Sequence, residues 1–194
     1  MLAFSMLLSL ALATPTQQYG SVYELYFGMG EGPAAVKPNQ ATASSSLSES
    51  NLTHGPSRVS DGNKSTVWCE GQEGTGVGAS LTLQWEQPIN VYAIEIWGGY
   101  FLDERRLFSN ERLQTYRILF NGTKHLEVTT ADVVKGTLEQ SLEYGNMLNF
   151  DPALDGATPP PPVTSMTIEV VSVYPGEKYT DLCISEIIVY QPPS

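Results

Sequence analysis

The chain has 194 residues, of which 41% are hydrophobic and 16% charged, which is enough to bury the core of one domain. Its formal net charge is −11. An acidic protein repels phosphate backbones, so the charge argues against a nucleic-acid partner. The same charge suits a secreted soluble protein or one that holds a cation.

The chain begins with an apolar run from Leu2 to Ala13 that ends in Ala-Leu-Ala. The run is too short to span a bilayer, and it fits the core of a secretory signal peptide, although no Lys or Arg precedes it. An N-terminal anchor is the alternative. We expect residues 1–13 to be a signal peptide and the mature protein to be extracellular, with no transmembrane span. Residues 14–40 would form an N-terminal segment with one candidate strand in "SVYELYF".

From Ala41 onward, short runs rich in β-branched and aromatic residues are separated by Gly, Pro, Asn and Asp. No window shows a sustained helical stripe. Regularly spaced strands without helices predict an all-β sandwich or barrel. The proline-rich stretch 151–162 predicts an extended surface loop. The predicted strands are 80–85, 91–97, 113–120, 124–130, 163–174 and 183–190.

The sequence lacks the motifs of common enzymes. Its two histidines, His54 and His125, each stand alone in a polar stretch, and H-E-x-x-H and G-x-S-x-G are absent. The "GTGVGAS" run leads into a predicted strand, whereas a dinucleotide-binding loop opens a helix. We therefore expect a protein that is not an enzyme. A hydrolase that uses a carboxylate pair is the least supported alternative.

A loop near residue 61 gathers oxygen ligands. Asp61 and Gly62 predict a tight turn, and Asn63 and Thr66 follow closely. Hard cations such as calcium bind six to eight oxygens, more than one short loop supplies. Glu186 is a distant carboxylate in an apolar strand, where it would be costly without a partner. Alternatively, Asp61 caps a turn and Glu186 faces solvent.

Three motifs occur in order over residues 41–190. The motif residues are Trp68, Glu70, Gly71, Gly76 and Gly78; then Gly99, Tyr100, Asn110 and Arg112; then Val173, Tyr174, Gly176, Lys178, Tyr179, Asp181 and Cys183 to Ile187. Together these motifs resemble the discoidin-like, NADase-type glycan-binding domain, a galactose-binding-like jelly roll related to coagulation-factor C-type domains and family 32 carbohydrate-binding modules.

The resemblance implies a galactose-binding-like jelly-roll β-sandwich over residues 41–191 that binds glycans of cell surfaces or the extracellular space. It also implies a structural calcium ion between the first loop and the last strand. Side-chain oxygens of Asp61 and Glu186, the hydroxyl or carbonyl of Thr66 and the carbonyls of Asn63 and Ser185 would bind this ion.

Sugars are bound by aromatic rings and by planar polar side chains, and these types occur at the predicted strand ends. Asn110 and Arg112 could instead brace a long loop, and Tyr174 and Tyr179 could pack a turn. Trp68 is expected in the core. The candidate ligand-binding residues are Tyr100, Asn110, Arg112, Tyr174, Lys178, Tyr179, Asp181 and Glu70.

The chain departs from the family pattern at Cys69, at Ala79 and in "FLDERRLF" after Tyr100, so the identity of the ligand does not carry over. The apolar and basic residues of that last stretch keep a second function open. On the same fold, they would serve an adhesion module that binds a protein or lipid head groups.

Two cysteines remain. The resemblance brings Thr66 and Glu186 to one site; Cys69 follows Thr66 by three residues, and Cys183 precedes Glu186 by three. If the two segments run antiparallel, these offsets bring the sulfurs together, and an oxidising compartment would permit a disulfide. Two separate buried thiols are the alternative.

Overall fold

The computed structural model describes residues 32–143, 145–150 and 156–192. The signal-peptide prediction, the candidate strand at 21–27 and residues 151–155 of the proline-rich loop lie outside the described residues. The rest of that loop, 156–162, contains neither helix nor strand, as its run of prolines predicts. No helix in the described ranges is long and apolar enough to cross a membrane.

Short strands dominate the described chain, and the helical segments are brief. The helical segments are a 3₁₀ helix (Pro56–Ser60), α1 (Glu104–Ser109) and α2 (Leu138–Glu143). The strands are β1 (Ala34–Ala35), β2 (Gln40–Ala43), β3 (Ser48–Glu49), β4 (Leu52–Thr53), β5 (Trp68–Cys69), β6 (Ser80–Ile89), β7 (Ala93–Trp97), β8 (Arg112–Phe120), β9 (Thr123–Thr129), β10 (Asn146–Asn149), β11 (Val163–Tyr174), β12 (Cys183–Ile184) and β13 (Glu186–Gln191).

Two antiparallel sheets form the body of the domain. One has the strand order β2-β6-β11-β8-β9, and the other has the order β1-β13-β7-β10. Two small ladders, β3 with β4 and β5 with β12, lie outside them. The predicted all-β sandwich is confirmed, and the six predicted strand regions all contain strands.

The main core fills the space between these sheets. On β6, Leu81, Leu83 and Trp85 are buried, whereas Thr82 and Gln84 between them are not. This two-residue period places one face of the strand in the core, and each buried large side chain contributes about 1.5–3 kcal/mol. The opposite sheet adds aliphatic side chains of β7 and β13 to the same cluster. As expected, Trp68 belongs to this core.

A second apolar cluster covers Trp97 at the end of β7. Trp97, Phe101, Leu107 and Phe108 pack together, with partly buried side chains beside them. Leu107 and Phe108 come from α1, a helix that the sequence analysis missed. The Asp103 carboxylate caps this helix by accepting a hydrogen bond from Arg106 N at 2.7 Å.

The predicted strand 183–190 is two strands. β12 pairs with β5, whereas β13 pairs with β7, so the segment changes partners at Ser185. Ser185 is buried, and its hydroxyl donates to Gly99 O at 2.9 Å and accepts from Phe101 N at 3.0 Å. Ser185 therefore ties the loop after β7 to the closing segment of the chain.

Candidate functional site

A disulfide joins Cys69 of β5 to Cys183 of β12. The two residues are direct partners in the antiparallel ladder, so the offsets from Thr66 and Glu186 do bring the sulfurs together. Of the two alternatives that the sequence left open, the structure has the disulfide.

An open cleft of about 490 Å³ lies beside this disulfide, within the ~300–1,000 Å³ of typical small-molecule sites. Five of the predicted ligand-binding residues line it: Tyr100, Asn110, Lys178, Tyr179 and Asp181. The remaining lining residues come from the segment before the disulfide and from α1: Leu47, Glu49, Leu52, His54, Cys69, Arg105, Arg106 and Ser109.

The loop after β11 forms one wall because it is bound to the end of α1. The backbone amides of Glu177 and Tyr179 donate to the carbonyls of Phe108 and Ser109, each at 2.8 Å. Gly176 permits this approach, since a Cβ there would collide with the backbone carbonyl of Tyr179 and lie 2.7 Å from that of Ser109. The loop therefore holds the Tyr179 ring at the rim, where the residue is 43% exposed.

Tyr100 lies near groups of both charges. Its ring meets the His54 ring edge-on at 6.1 Å, and His54 Nε2 lies 3.3 Å from Glu49 Oε2. The Arg106 guanidinium lies 5.7 Å from the Tyr100 ring centre. Burial and then the charge of Glu49 raise the pKa of Asp181, so Glu49 acts on a second carboxyl group of the cleft.

Three predicted ligand-binding residues do not line the cleft. Arg112 is buried and forms a forked pair with Asp132, with Nε–Oδ1 at 2.7 Å and Nη2–Oδ2 at 2.8 Å. The Tyr174 hydroxyl donates to Thr130 O at 2.7 Å. Glu70 is buried, and its Oε2 accepts from the backbone of Gln72. Arg112 has bracing contacts of the kind that its alternative interpretation predicts, and a binding role for all three residues stays a prediction.

Asn110 lines the cleft, as a ligand-binding residue would, and also braces the end of α1. Its Nδ2 donates to Arg106 O at 2.8 Å at the end of α1, and the residue also lines the cleft. The side chain therefore fixes the helix end that carries one wall of the cleft.

Two buried carboxyl groups, Glu70 and Glu111, lie near the half-buried Asp181 of the cleft. Burial is the largest cause of the raised pKa of all three groups. Repulsion by Asp181 adds to it at Glu70, repulsion by Glu70 and Asp181 adds to it at Glu111, and repulsion by Glu49 adds to it at Asp181. Glu111 Oε2 accepts from Gly76 N at 2.8 Å. Because Asp181 also lines the cleft, this group links the cleft wall to the interior.

The predicted metal-binding residues meet at the loop that follows the 3₁₀ helix. The Thr66 hydroxyl lies 2.7 Å from Asp61 Oδ2 and 2.8 Å from Asn63 O. The backbone amide of Gly62 donates a hydrogen bond to Glu186 Oε1 at 3.4 Å. Glu186 is buried, and burial together with the charge of Asp61 raises its pKa to about 7.

These residues fit a hard cation. Glu186 Oε2 is buried and has no hydrogen-bond partner of normal geometry among the described residues. The nearby donors are oxygens of a carboxylate, a hydroxyl and a carbonyl, as calcium prefers. Ser185 would contribute only its carbonyl, because its hydroxyl already forms two hydrogen bonds with the loop after β7. The described residues include no cluster of three or more His, Cys, Asp or Glu side chains that suits a metal.

Glu49 and His54 were not predicted from the sequence as residues of the cleft, and the basic residues Arg105 and Arg106 were considered only as part of an adhesion module. His54 and Glu49 reach the cleft through the β3–β4 hairpin, which precedes the first motif of the family pattern. No spacing in the sequence connects them to Tyr100. The N-cap signature of Asp103 could have placed both arginines on one short helix.

Comparison with solved structures shows the fold. The CBM32 of AlyQ, solved with 4,5-unsaturated mannuronic acid, matches with a TM-score of 0.53 and 14% identity over 80% of this chain and 97% of that chain. The family 32 CBM from C. perfringens NanJ, solved with galactose, has a TM-score of 0.53 and 20% identity over 78% and 93%. A pectin-binding module has a TM-score of 0.51 and 17% identity over 79% and 90%.

These similarities establish the CBM32 jelly-roll fold for this chain. No curated protein sequence matches it. The family model described as NAD glycohydrolase translocation F5/8 type C domain matches residues 34–190, from the start of β1 into β13. The chain therefore belongs to the family of NAD glycohydrolase translocation F5/8 type C domains, which are discoidin-like.

Proposed function

We propose that this protein is a secreted, non-enzymatic carbohydrate-binding module whose cleft binds glycans of cell surfaces or the extracellular space. The observation that carries the proposal is the convergence of Tyr100 and Tyr179 with Asn110, Lys178 and Asp181 in one open cleft. Separate loops supply these side chains, and the disulfide and the end of α1 hold the loops together.

The cleft has the chemistry that a sugar requires. The exposed ring of Tyr179 offers a flat apolar face for the C–H groups of a pyranose. Asp181 and Glu49 accept hydrogen bonds from hydroxyl groups, whereas Lys178 and Arg105 donate to hydroxyl oxygens. Affinity for sugars fits a binding module better than a hydrolase, since the motifs of common hydrolases are absent from the sequence.

Two observations support secretion. Disulfides persist in oxidising compartments and are rare in the cytosol, and here one joins two distant parts of the chain. The apolar run of residues 2–13 has the composition of a signal peptide.

We also propose that calcium binds between Asp61 and Glu186. The buried, unpartnered oxygen of Glu186 and the hydroxyl of Thr66 support this site. The ion would neutralise two facing carboxylates and connect the loop at 61–66 to β13. Its role is structural, because neither Asp61 nor Glu186 lines the cleft.

A glycan array followed by titration tests the proposed binding. Tyr179→Ala should weaken binding of a positive glycan by about tenfold, because it removes an exposed aromatic contact. Val134→Ala is the matched control, since Val134 is exposed but does not line the cleft. Absence of binding to every glycan by the folded wild-type protein would refute the proposal.

An adhesion module remains the second candidate, because Leu52 and Tyr179 expose apolar surface at the rim of the cleft. Binding to lipid head groups has less support than binding to a protein. In the stretch 101–108, Phe101, Leu107 and Phe108 are buried, and Leu102 is the one large apolar residue that is exposed. Co-sedimentation with liposomes, without binding to glycans, would favour this candidate over the first.

A further inference from the structure

The geometry points to an acidic sugar, a uronic or sialic acid unit, as the ligand of the cleft, with its carboxylate on Arg105 and Lys178. This inference rests on the proposed glycan binding and names the class of sugar. It depends on where the protein places its few cations and on which of them have partners.

Cations are scarce in this chain and concentrated in the cleft. The sequence has 10 Lys and Arg residues against 21 Asp and Glu, yet Arg105, Arg106 and Lys178 all line the cleft. An anionic ligand is repelled by the acidic surface as a whole, so it needs a local group of positive charges to bind.

Two of these three cations have no carboxylate partner. Arg106 is paired with Asp103 at 2.6 Å. Of the seven Lys and Arg residues outside the cleft, four also form ion pairs, whereas Lys37, Arg58 and Lys64 form none with a described residue. Among the described residues, the guanidinium of Arg105 forms neither a salt bridge nor a hydrogen bond, although its charge lowers the pKa of Asp103 from a distance. The Lys178 ammonium lies 4.7 Å from the Tyr179 ring centre and has no ion pair with a described residue.

The two unpaired cations belong to one wall. Arg105 and Ser109 are four residues apart in α1 and thus lie on the same face of the helix. The backbone of Lys178 donates to Ser109 O at 3.2 Å. An exposed guanidinium presents a planar fork that matches the two oxygens of a carboxylate, and the nearby ammonium adds a second charge.

The acidic lining residues give the ligand an orientation. Glu49 lies beside His54, whose ring meets the Tyr100 ring, and the charge of Glu49 also acts on Asp181. These carboxylates accept hydroxyl hydrogens and repel an anion. A ligand with a carboxylate at one end and hydroxyl groups at the other matches both the cations and the carboxylates of the lining, whereas a neutral sugar leaves Arg105 and Lys178 without a charged partner.

Titrations followed by NMR test this inference, with glucuronic acid and N-acetylneuraminic acid as acidic probes and glucose and galactose as neutral probes. We expect at least one acidic probe to bind about tenfold more tightly than the neutral ones. Arg105→Gln and Lys178→Gln should each remove most of this preference, because each deletes a charge-assisted contact. Lys124→Gln, an exposed cation outside the cleft, should retain it.

The possible failures are distinguishable. Equal affinity for acidic and neutral sugars, or a preference that survives in the Arg105→Gln/Lys178→Gln double variant, overturns the inference and leaves glycan binding intact. If neither class of sugar binds and the glycan array is also negative, the proposed function fails together with it. Unchanged amide spectra of the variants show that they remain folded.

Discussion

At the scale of single residues, the guanidinium of Arg112 joins three segments that frame the cleft. It forms the forked pair with Asp132 and also donates to Asn110 O at 3.2 Å and Pro175 O at 3.4 Å. These contacts connect the start of β8 with the loop beyond β9 and with the loop that carries Lys178 and Tyr179. Arg112 thus acts on the cleft through the position of its walls.

We predict that Arg112→Met lowers the free energy of unfolding by about 3–5 kcal/mol, because it removes the guanidinium that pairs with Asp132 and donates to three backbone carbonyls. Urea denaturation measures this change. The control is Arg117→Met, which breaks an exposed pair with Glu127 and should cost less than about 1 kcal/mol. If Arg112→Met kept its stability and lost glycan binding, Arg112 would be a ligand-binding residue and not a brace.

Residue type alone could not separate Arg112 from Arg105. Both are arginines near Tyr100, and the family motif favours Arg112. The difference arises from Asp132, which lies 20 residues further along the chain and meets Arg112 only after β8 and β9 have paired. A contact of this kind has no signature in the local sequence. In contrast, Gly176, Tyr100 and Tyr179 could be identified from the sequence as residues of the family motifs.

At the scale of elements, the disulfide fastens a ladder of only two residues per strand. β5 and β12 share the pairs Cys69–Cys183 and Trp68–Ile184, and the cysteines are separated by 114 residues in sequence. So short a ladder is marginal by itself. Its position beside the cleft means that the bond also fixes the segment that contains His54, since Cys69 N donates to His54 O at 3.3 Å.

We predict that the double change Cys69→Ala and Cys183→Ala lowers the free energy of unfolding by about 4–5 kcal/mol, from the entropy that the unfolded chain regains. Urea denaturation measures it, and reduction of the wild-type protein should give a similar loss. A midpoint that does not move in either experiment would show that the disulfide contributes nothing to stability.

The loop at 61–66 and β13 are the second pair of distant elements that meet. We predict that saturating calcium raises the thermal midpoint of the wild-type protein by about 5–10 °C, because it binds only the folded state. Glu186→Gln should abolish this shift, whereas Glu73→Gln, an exposed carboxylate, should leave it unchanged. A wild-type midpoint that is the same in calcium and in chelator would contradict a calcium site.

The strands could be predicted from composition, but their partners could not. β11 lies between β6 and β8, and this order depends on contacts across more than forty residues of sequence, as in the pair Met166–Phe120. The change of strand partner at Ser185 also depends on a contact that is distant in sequence, because the Ser185 hydroxyl bonds to the loop after β7. The helix α1 has six residues, too few for a helical period to show.

At the scale of the whole molecule, negative charge is unevenly distributed. The protein has a net charge of −11, and it nevertheless buries Glu70 and Glu111 near Asp181 of the cleft. Buried carboxyl groups without full compensation favour their protonated form. The folded protein therefore binds protons at this place more tightly than the unfolded chain does.

This difference makes stability depend on pH. A carboxyl group whose pKa is raised by folding stabilises the protein fully below its unfolded pKa, about 4.5 for Glu, and this contribution is lost as the pH rises through the folded value. We predict that the urea midpoint in chelator falls between pH 5 and pH 8, and that Glu70→Gln with Glu111→Gln makes the fall shallower, because an amide does not ionise. The control is the double variant Glu73→Gln with Glu86→Gln at two exposed positions, in which the urea midpoint should depend on pH as steeply as in the wild-type protein. A double variant at positions 70 and 111 with an unaltered slope would show that these two carboxyl groups stay ionised in the folded protein throughout that range.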